Sequence, residues 1–539
     1  MNKNSLFAAL CLFINIVLAS KAQGQSYVWA KGEGGIGNDA ANGIAVDGFG
    51  NSYITGNLAG VAEFTGTTVQ GAGLYDIILV KYNLFGNLMW AKSAGGIGND
   101  QGNVIKYKDG FLYIAGSYED TASFLPNGSI ISKGEADAFV AKYDLDGNLI
   151  WLNHGGGINF DYASGLDVDN NGNVYICGTY ETSAAFDTSI LTTSNLFAES
   201  FIAKYNSNGS LVWAKTSVGS TTNLITGIAC GNNSLYITGF FGGSFSLDAS
   251  IINSATPSYD VLLARLNLDG QVMWLKRAGS TYEDAANAIT ANENGTVAIA
   301  GYFAGTAYFD NHSITYLDYN DVFVANYDSA GNNLWVRAGK GGQLDVAFAL
   351  TSDASGNIFS TGMFENSIDF DGNVLSGNGR DIFLNSYDAA GNLRWLSSAG
   401  GIQTDCGLGI AVKADEDIAL CGYYLHTCSF GNIDIDYANN NDLFIAEYDP
   451  PFVSSVQEAV SAVNFGVFPT VCVGCTQVHV KTSTTGPYVL QLYDVSGRLV
   501  EERNSVYEPT LNVSEFLPGV YFLCMTDSGG RHTARFIIE

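Results

Sequence analysis

Proline is scarce in this sequence, 8 residues in 539, and so is charge, with Asp, Glu, Lys and Arg together making up 14%. A low charged fraction beside 47% hydrophobic residues excludes general disorder, because the chain has ample apolar material for large cores. Basic residues are scarcer still. Only 24 Lys and Arg stand against 53 Asp and Glu, the formal charge is −29, and no basic run could neutralise a row of phosphates. Nucleic acid is therefore not expected as a partner. The five histidines, His154, His312, His426, His479 and His532, share no motif, and there is no G-x-S-x-G elbow. No nucleophile, base and orienting acid can be assembled from the sequence, so the expectation is a protein without catalysis.

No apolar run reaches the roughly twenty residues of a membrane-spanning helix, and the N-terminal one, of about thirteen, falls short as well. The N-terminus reads Met1-Asn2-Lys3, an apolar stretch from Leu6 to Leu18, then Ser20-Lys21-Ala22 before Gln23. That is a secretory signal peptide over residues 1–22, cut between Ala22 and Gln23. An oxidising destination permits disulfides without requiring them. Eight of the nine cysteines lie beyond the signal. Pairs within Cys406, Cys421 and Cys428, and within Cys472, Cys475 and Cys524, are compatible with the order of the chain. Cys472-Val-Gly-Cys475 lacks the second pair that a zinc site needs.

All seven tryptophans, Trp29, Trp90, Trp151, Trp213, Trp274, Trp335 and Trp395, are spaced by 61, 61, 62, 61, 61 and 60 residues. A fixed period of this kind marks a repeat architecture. A Gly-rich segment follows each tryptophan, as in Gly34-Gly35-Ile36-Gly37-Asn38-Asp39. Two short β-like runs come next, then a long variable stretch, then an acidic residue opening an apolar run such as Asp76-Ile-Ile-Leu-Val-Lys-Tyr82. Six of these runs reach the next tryptophan through a turn like Asp144-Leu-Asp-Gly147-Asn148, where glycine takes a positive φ without steric cost.

Four strands per unit and seven units predict an all-β, seven-bladed β-propeller over residues 23–450. The first tryptophan strand has no preceding partner, and the last partner strand, Leu443 to Tyr448, runs into Asp449-Pro450-Pro451. These two orphan halves predict a ring closed by the N-terminal strand, with no open sheet edge. The rival is an open solenoid, which would leave both halves unpaired. Residues such as Gly172-Asn173-Val174-Tyr175-Ile176-Cys177-Gly178 and Asp137 through Trp151 resemble a bacterial β-propeller repeat found in extracellular proteins. That family is defined by its fold, so the resemblance implies architecture more than activity.

Asp39, Asp100, Asp161, Asp284, Asp345 and Asp405, with Asn223 in the same column, recur after each Gly-rich segment. They could form a rim of carboxylates for calcium or a polyhydroxylated ligand. Repetition in nearly every unit favours instead an aspartate that caps its own turn. Asp167-Val-Asp169-Asn-Asn171-Gly172 opens like a calcium loop, but Gly178 stands where an acidic twelfth residue belongs. No cofactor is expected beyond such a calcium ion. His154-Gly155-Gly156-Gly157 resembles a lipase oxyanion segment, and the repeat accounts for it as the Gly-rich position after Trp151. Asp144 to Trp151 is similar to the turn of quinoprotein propellers, but lacks their Thr, their eighth unit and their adjacent cysteine pair. The tryptophans are expected to pack between blades.

After a linker at 451–463, residues 464–539 read as a small Ig-like β-sandwich. Val467-Phe-Pro469, Leu492-Tyr493-Asp494-Val495-Ser496-Gly497-Arg498, Leu517-Pro518-Gly519-Val520-Tyr521 and Arg535-Phe-Ile-Ile-Glu539 resemble the type A sorting domain of the type IX secretion system of Bacteroidota. Thr470 stands where that family usually has Asn, and Arg535 where Lys is common. The resemblance implies passage through the periplasm, docking of the tail on the outer-membrane secretion machinery, and release or attachment to lipopolysaccharide. The leading functional expectation is a secreted or surface propeller that binds an extracellular glycan or protein. Alternatives are an exported hydrolase or quinoprotein-like oxidoreductase with its site dispersed over the blades, and a structural, calcium-stabilised surface component.

Overall fold

A computed structural model describes residues 26–124, 128–193, 197–255, 258–316, 319–413, 416–436 and 440–450. In the tail it describes residues 466–468, 471–472, 477–481, 488–494, 499–506, 510–514, 516, 519–527 and 530–538. The signal cleavage pair Ala22 and Gln23, the linker, and the tail residues Pro469, Gly497 and Arg498 lie outside the described residues. The chain divides into two compact units, Met1–Val453 and Ser454–Glu539.

In the larger unit, Ala40–Val46 pairs antiparallel with Ser52–Leu58, which pairs with Asp76–Tyr82, which pairs with Leu88–Ala94. The same four-strand order recurs with first strands beginning at Gln101, Tyr162, Asn223, Ala285 and Val346. A seventh set begins with Cys406–Val412, Ile418–Tyr424 and Asp442–Asp449, and its fourth strand is Ser26–Gly35 from the start of the chain. Trp29 opposes Glu447 there, the register position that Trp90 holds against Lys81 and Trp395 against Ser386. The N-terminal strand thus occupies the place the period assigns to a tryptophan strand.

Strand character follows from burial. Asp76–Tyr82 and its equivalents Glu199–Tyr205 and Asp321–Tyr327 are buried at every position, so they read as continuous apolar runs with no alternation. The fourth strands are only partly covered and carry lysine and serine among the apolar residues. First strands of successive units lie side by side, and that of the seventh lies against that of the first. Trp29, Ile44, Ile54 and Val80 share one core cluster with Ala411, Cys421, Leu443 and Ile445.

Tryptophans join neighbouring units. A Cβ at Gly147 would meet the Trp90 ring at 2.9 Å, and Gly147 has a φ of 70°, so both the turn and the covering indole require glycine. Gly209 under Trp151, Gly270 under Trp213, Gly331 under Trp274 and Gly391 under Trp335 repeat the contact. The indole N–H of Trp274 donates to the Ser329 carbonyl at 3.1 Å and that of Trp335 to Ala389 at 3.0 Å. Trp395 meets the seventh unit through Tyr448, with ring centroids 5.1 Å apart.

One feature is added to the sequence reading and one expectation needs correction. The variable stretches hold β-hairpins, Val61–Phe64 with Thr67–Gln70 and Ser183–Phe186 with Ser189–Thr192. Each adds to the glycine end of the preceding unit's tryptophan strand, as Gly35 pairs with Ala62 and Gly155 with Phe186. Cys406, Cys421 and Cys428 are buried free thiols, not partners in a disulfide. Their strands place each in apolar packing, where a thiol behaves as a small hydrophobe.

The tail forms two sheets. One joins Gly466–Phe468, Gln477–Lys481 and Thr510–Asn512. The other joins Val471–Cys472, Gly530–Ile538, Gly519–Asp527, Tyr488–Asp494 and Leu499–Val506. Val478, Val480, Leu490, Leu492, Leu511, Tyr521 and Leu523 make its core. Gly519 and Tyr521 lie on the central strand of the larger sheet, with Tyr521 opposite both Asp494 and Phe536.

Candidate functional site

The acidic column lies inside the protein. Asp39, Asp100, Asp161, Asp284, Asp345 and Asp405 are all fully buried. Each ties two loops together through backbone N–H groups. Asp39 accepts from Gly35 at 2.8 Å and Ala59 at 2.7 Å, Asp100 from Gly96 at 2.7 Å and Glu119 at 3.1 Å, and Asp161 from Gly157 at 2.6 Å and Glu181 at 3.1 Å. Asp284 does the same with Ser280 and Ala304. Asp345 and Asp405 accept from Glu365 and Leu425, the residues twenty positions on. These carboxyls clamp the loop after the tryptophan strand to the loop after the second strand, and none opens onto solvent.

The acidic residues that open the apolar runs, Asp76 to Asp442, are legible in the sequence as a second column of turn caps, but their pairing with the clamps is not. Asp76, Asp137, Asp260, Asp321 and Asp381 lie on the third strands and stand 24 residues before Asp100, Asp161, Asp284, Asp345 and Asp405. That constant spacing was the available signal. The backbone N–H of each clamp aspartate donates to the residue just before its partner, for example Asp100 to Tyr75 at 2.9 Å and Asp161 to Ala136 at 2.7 Å. Asp39 makes the equivalent bond to Asn441, ahead of Asp442, and so joins the two ends of the repeat.

Burial dominates the electrostatics. It pushes the Asp39 carboxyl up to about 6, those of Asp100, Asp161, Asp284 and Asp405 to about 7, and that of Asp345 to about 8. Backbone N–H donors act against the shift. The partner aspartate's charge adds to it at Asp100, Asp161, Asp284, Asp345 and Asp405.

The calcium-like loop has a different use. Asp169 accepts from the backbone of Asn171 and Asn173 at 2.9 Å each, from the Asn173 amide at 2.8 Å and from the Tyr175 hydroxyl at 3.1 Å. Asp47 binds Phe49, Asn51 and Tyr53 in the same way, and Asp144, Asp328, Asp353 and Asp388 staple their own D-x-x-G-N turns. No group of three or more potential ligands is gathered for a metal among the described residues. In the His154 segment, the Gly157 N–H is taken by Asp161 and the His154 ring bonds the Tyr118 hydroxyl at 2.8 Å. Its backbone donors do not converge on an oxyanion.

Asymmetry appears at two places. The turns between first and second strands are five residues long in five units, but only two residues long at Asp109-Gly110 and Asn232-Asn233. Beside these short turns lies a polar cavity of about 160 Å³, lined by Lys108, Asp167, Asn170, Cys230, Asn232 and Glu293. Lys108 donates to Asn170 at 2.7 Å, and Asn170 to Glu293 two units away at 3.0 Å. The second place is the Gly-rich loop, three residues before each clamp. Ile402, Ile36, Ile97 and Ile158 occupy it at four consecutive junctions and are 69–74% exposed. Ser220, Thr281 and Gly342 occupy the other three.

Residues 467–539 match the family profile described as a secretion system C-terminal sorting domain. The protein is exported. The tail directs it to the type IX secretion machinery and so to the cell surface or the medium, and no helix among the described residues is long and apolar enough to cross a membrane. The chain is 23% identical over 438 residues to an uncharacterized WD repeat-containing protein of Acanthamoeba polyphaga mimivirus, covering 62% of this chain and 31% of that one. It is 32% identical over 123 residues to the regulatory protein FlaEY of Caulobacter vibrioides, covering 22% and 13%. The exported chain thus spans less than a third of either relative. Among solved structures, a fungal alcohol oxidase in complex with copper is similar at 12% identity and a TM-score of 0.40, covering 95% of this chain and 99% of that one. The WD40 beta propeller domain of Doa1 is similar at 10% identity and a TM-score of 0.31, covering 79% and 97%.

Proposed function

We propose that the exported protein is a seven-bladed propeller, closed by its own first strand, that binds an extracellular partner without catalysis. The arc of Ile36, Ile97, Ile158 and Ile402 carries this reading. A scaffold that only had to fold would keep such positions polar all round, as they are at Ser220 and Thr281. Four strongly exposed isoleucines at consecutive junctions instead offer apolar area that contact with a partner would relieve. Aliphatic side chains suit a protein surface better than a glycan, which is held by aromatic faces and polar groups.

The experiment is a binding screen of the secreted protein against extracellular matrix proteins and glycans, with and without chelator. A hit should be retained with chelator and weakened at least tenfold in the Ile97→Asp, Ile158→Asp double variant, with an unchanged thermal midpoint. Thr281→Asp, on the polar side, should bind normally. Equal binding by all three proteins, or turnover of a screened compound, would count against the reading.

A further inference from the structure

Two carboxyls meet at six of the seven junctions. A Cβ added at Gly95 would touch Asp76 Oδ1 at 2.5 Å and Asp100 Oδ2 at 2.6 Å, and one at Gly279 would touch Asp260 Oδ1 and Asp284 Oδ2 at 2.7 Å each. Gly34 stands in the same way between Asp442 and Asp39. At these three junctions the two oxygens stand on either side of one glycine, away from water, and at the other three the partner's charge acts on Asp161, Asp345 and Asp405. Loop bonds use the other partner oxygen: Asp76 Oδ2 accepts from Ala72 at 2.8 Å and Gly73 at 3.1 Å, and Asp260 Oδ2 from Ala255 at 2.6 Å. Asp260 Oδ1 and Asp345 Oδ2, both buried, have no hydrogen-bond partner. The clamp oxygen at such a place still accepts a backbone N–H, as Asp100 Oδ2 does from Gly96 and Asp284 Oδ2 from Ser280, so two ionised carboxylates would repel and leave the partner oxygen, as at Asp260 Oδ1, without a donor.

The seventh junction shows what is missing. There the column holds Asn223 and the partner position Glu199, and the Asn223 amide donates to Glu199 Oε2 at 2.8 Å. The amide supplies at this junction the donor that a carboxylate cannot. We infer that each of the six aspartate pairs shares one proton, the neutral acid donating its O–H to its partner carboxylate, so that the propeller is built to be most stable in acid and loosens as the medium becomes alkaline.

Charged and titratable neighbours surround the pairs. Glu119, Glu181 and Glu365 beside Asp100, Asp161 and Asp345 oppose a second negative charge. Lys133 near Asp137 and Arg277, 3.2 Å from Asp260, are the cations that face a pair. Tyr118, Tyr180, Tyr302, Tyr423, Tyr424, Cys406 and Cys428 also stand near the pairs and are neutral over this range, and the Arg380 guanidinium is bridged to Glu365. The raised carboxyls make the folded chain hold protons that the unfolded chain releases above about pH 4. Their stabilising contribution is complete below that value and is lost as pH climbs through 6 to 8.

Thermal unfolding of the mature chain at pH 5 and pH 8, with calcium and with chelator, tests the inference. Asp76→Asn keeps the loop bonds on its amide oxygen and presents N–H to Asp100, as Asn223 does to Glu199. It should raise the midpoint at pH 8 and leave that at pH 5 unchanged, as should Asp381→Asn. Asn223→Asp should lower the midpoint at pH 8 more than at pH 5. Equal losses at both pH values in the Asn variants would overturn the inference. So would a calcium-dependent rise of the parent midpoint at pH 8 that the Asn variants lose, since a cation would then occupy the pairs. An infrared band of protonated carboxyl in the unaltered protein at neutral pH is expected, and its absence would overturn the inference without any variant.

Discussion

Removal of residues 464–539 is expected to leave the protein in the periplasm. The N-terminal segment read as a signal peptide is expected to serve for the first membrane, and the matched sorting segment supplies the address for the second. The tail has its own core of Val478, Leu490, Leu492, Leu511 and Leu523, while the larger unit's clusters draw on residues before 450. Truncation therefore removes the address and leaves the repeat unit's cores whole. Fractionation of cells producing the truncated and full-length chains measures the effect, which is expected to be loss of nearly all surface and medium signal. Normal delivery of the truncated protein would remove the tail from the export account. Tyr521 offers a finer probe: it is buried and stacks on Phe516 at 5.5 Å, so Tyr521→Ala should unfold the small domain and give the same retention.

The second large effect is expected from deleting Ser26–Gly35. This strand pairs with Asp442–Asp449 along seven register positions and brings two buried aromatic rings to the seventh unit. Tyr27 packs on Phe430 and Tyr448 with centroids 5.1 Å away, and Trp29 stacks on Tyr82 at 6.4 Å. Losing one large buried aromatic costs about 3–5 kcal/mol. Losing two, together with a whole ladder of hydrogen bonds, exceeds what most domains hold in reserve. The exposed edge would also template pairing between chains. The deleted protein should be aggregated or strongly destabilised on size-exclusion chromatography and thermal unfolding, and a peptide of residues 26–35 should partly restore it. A stable monomer with the parent midpoint would contradict the closure.

Much of this architecture was legible because the repeat writes it seven times. The tryptophan period sets the strand phase, and the unmatched halves at residues 27–31 and 443–448 are register partners. The hairpins were less visible. Their strands are four residues long, and their signal is a tip such as Phe186-Asp187 or Phe309-Asp310, with the aspartate at positive φ. The free thiols misled because cysteines near one another in sequence fell on separate strands with apolar neighbours. The acidic column was read as turn caps, and its members do bind the loops. Its pairing with the partner aspartates crosses a unit boundary, so it shows only as a spacing of 24 residues between two columns taken together. Ile36 stands in the Gly-rich motif that the sequence shows, but its exposure is a property of the fold. In the sequence alone, Ile97 looks no different from the buried Ile105.

Closure by the N-terminal strand is the claim on which the propeller reading rests, and a single crosslink tests it most directly. Ala30 and Ala446 are register partners, 416 positions apart in the chain. Oxidation of an Ala30→Cys, Ala446→Cys double variant, followed by non-reducing electrophoresis and mass spectrometry of the monomer, is predicted to show one intramolecular disulfide between them, with a thermal midpoint at or above that of the parent. No bond in the monomer, or bonds formed only between separate chains, would contradict it.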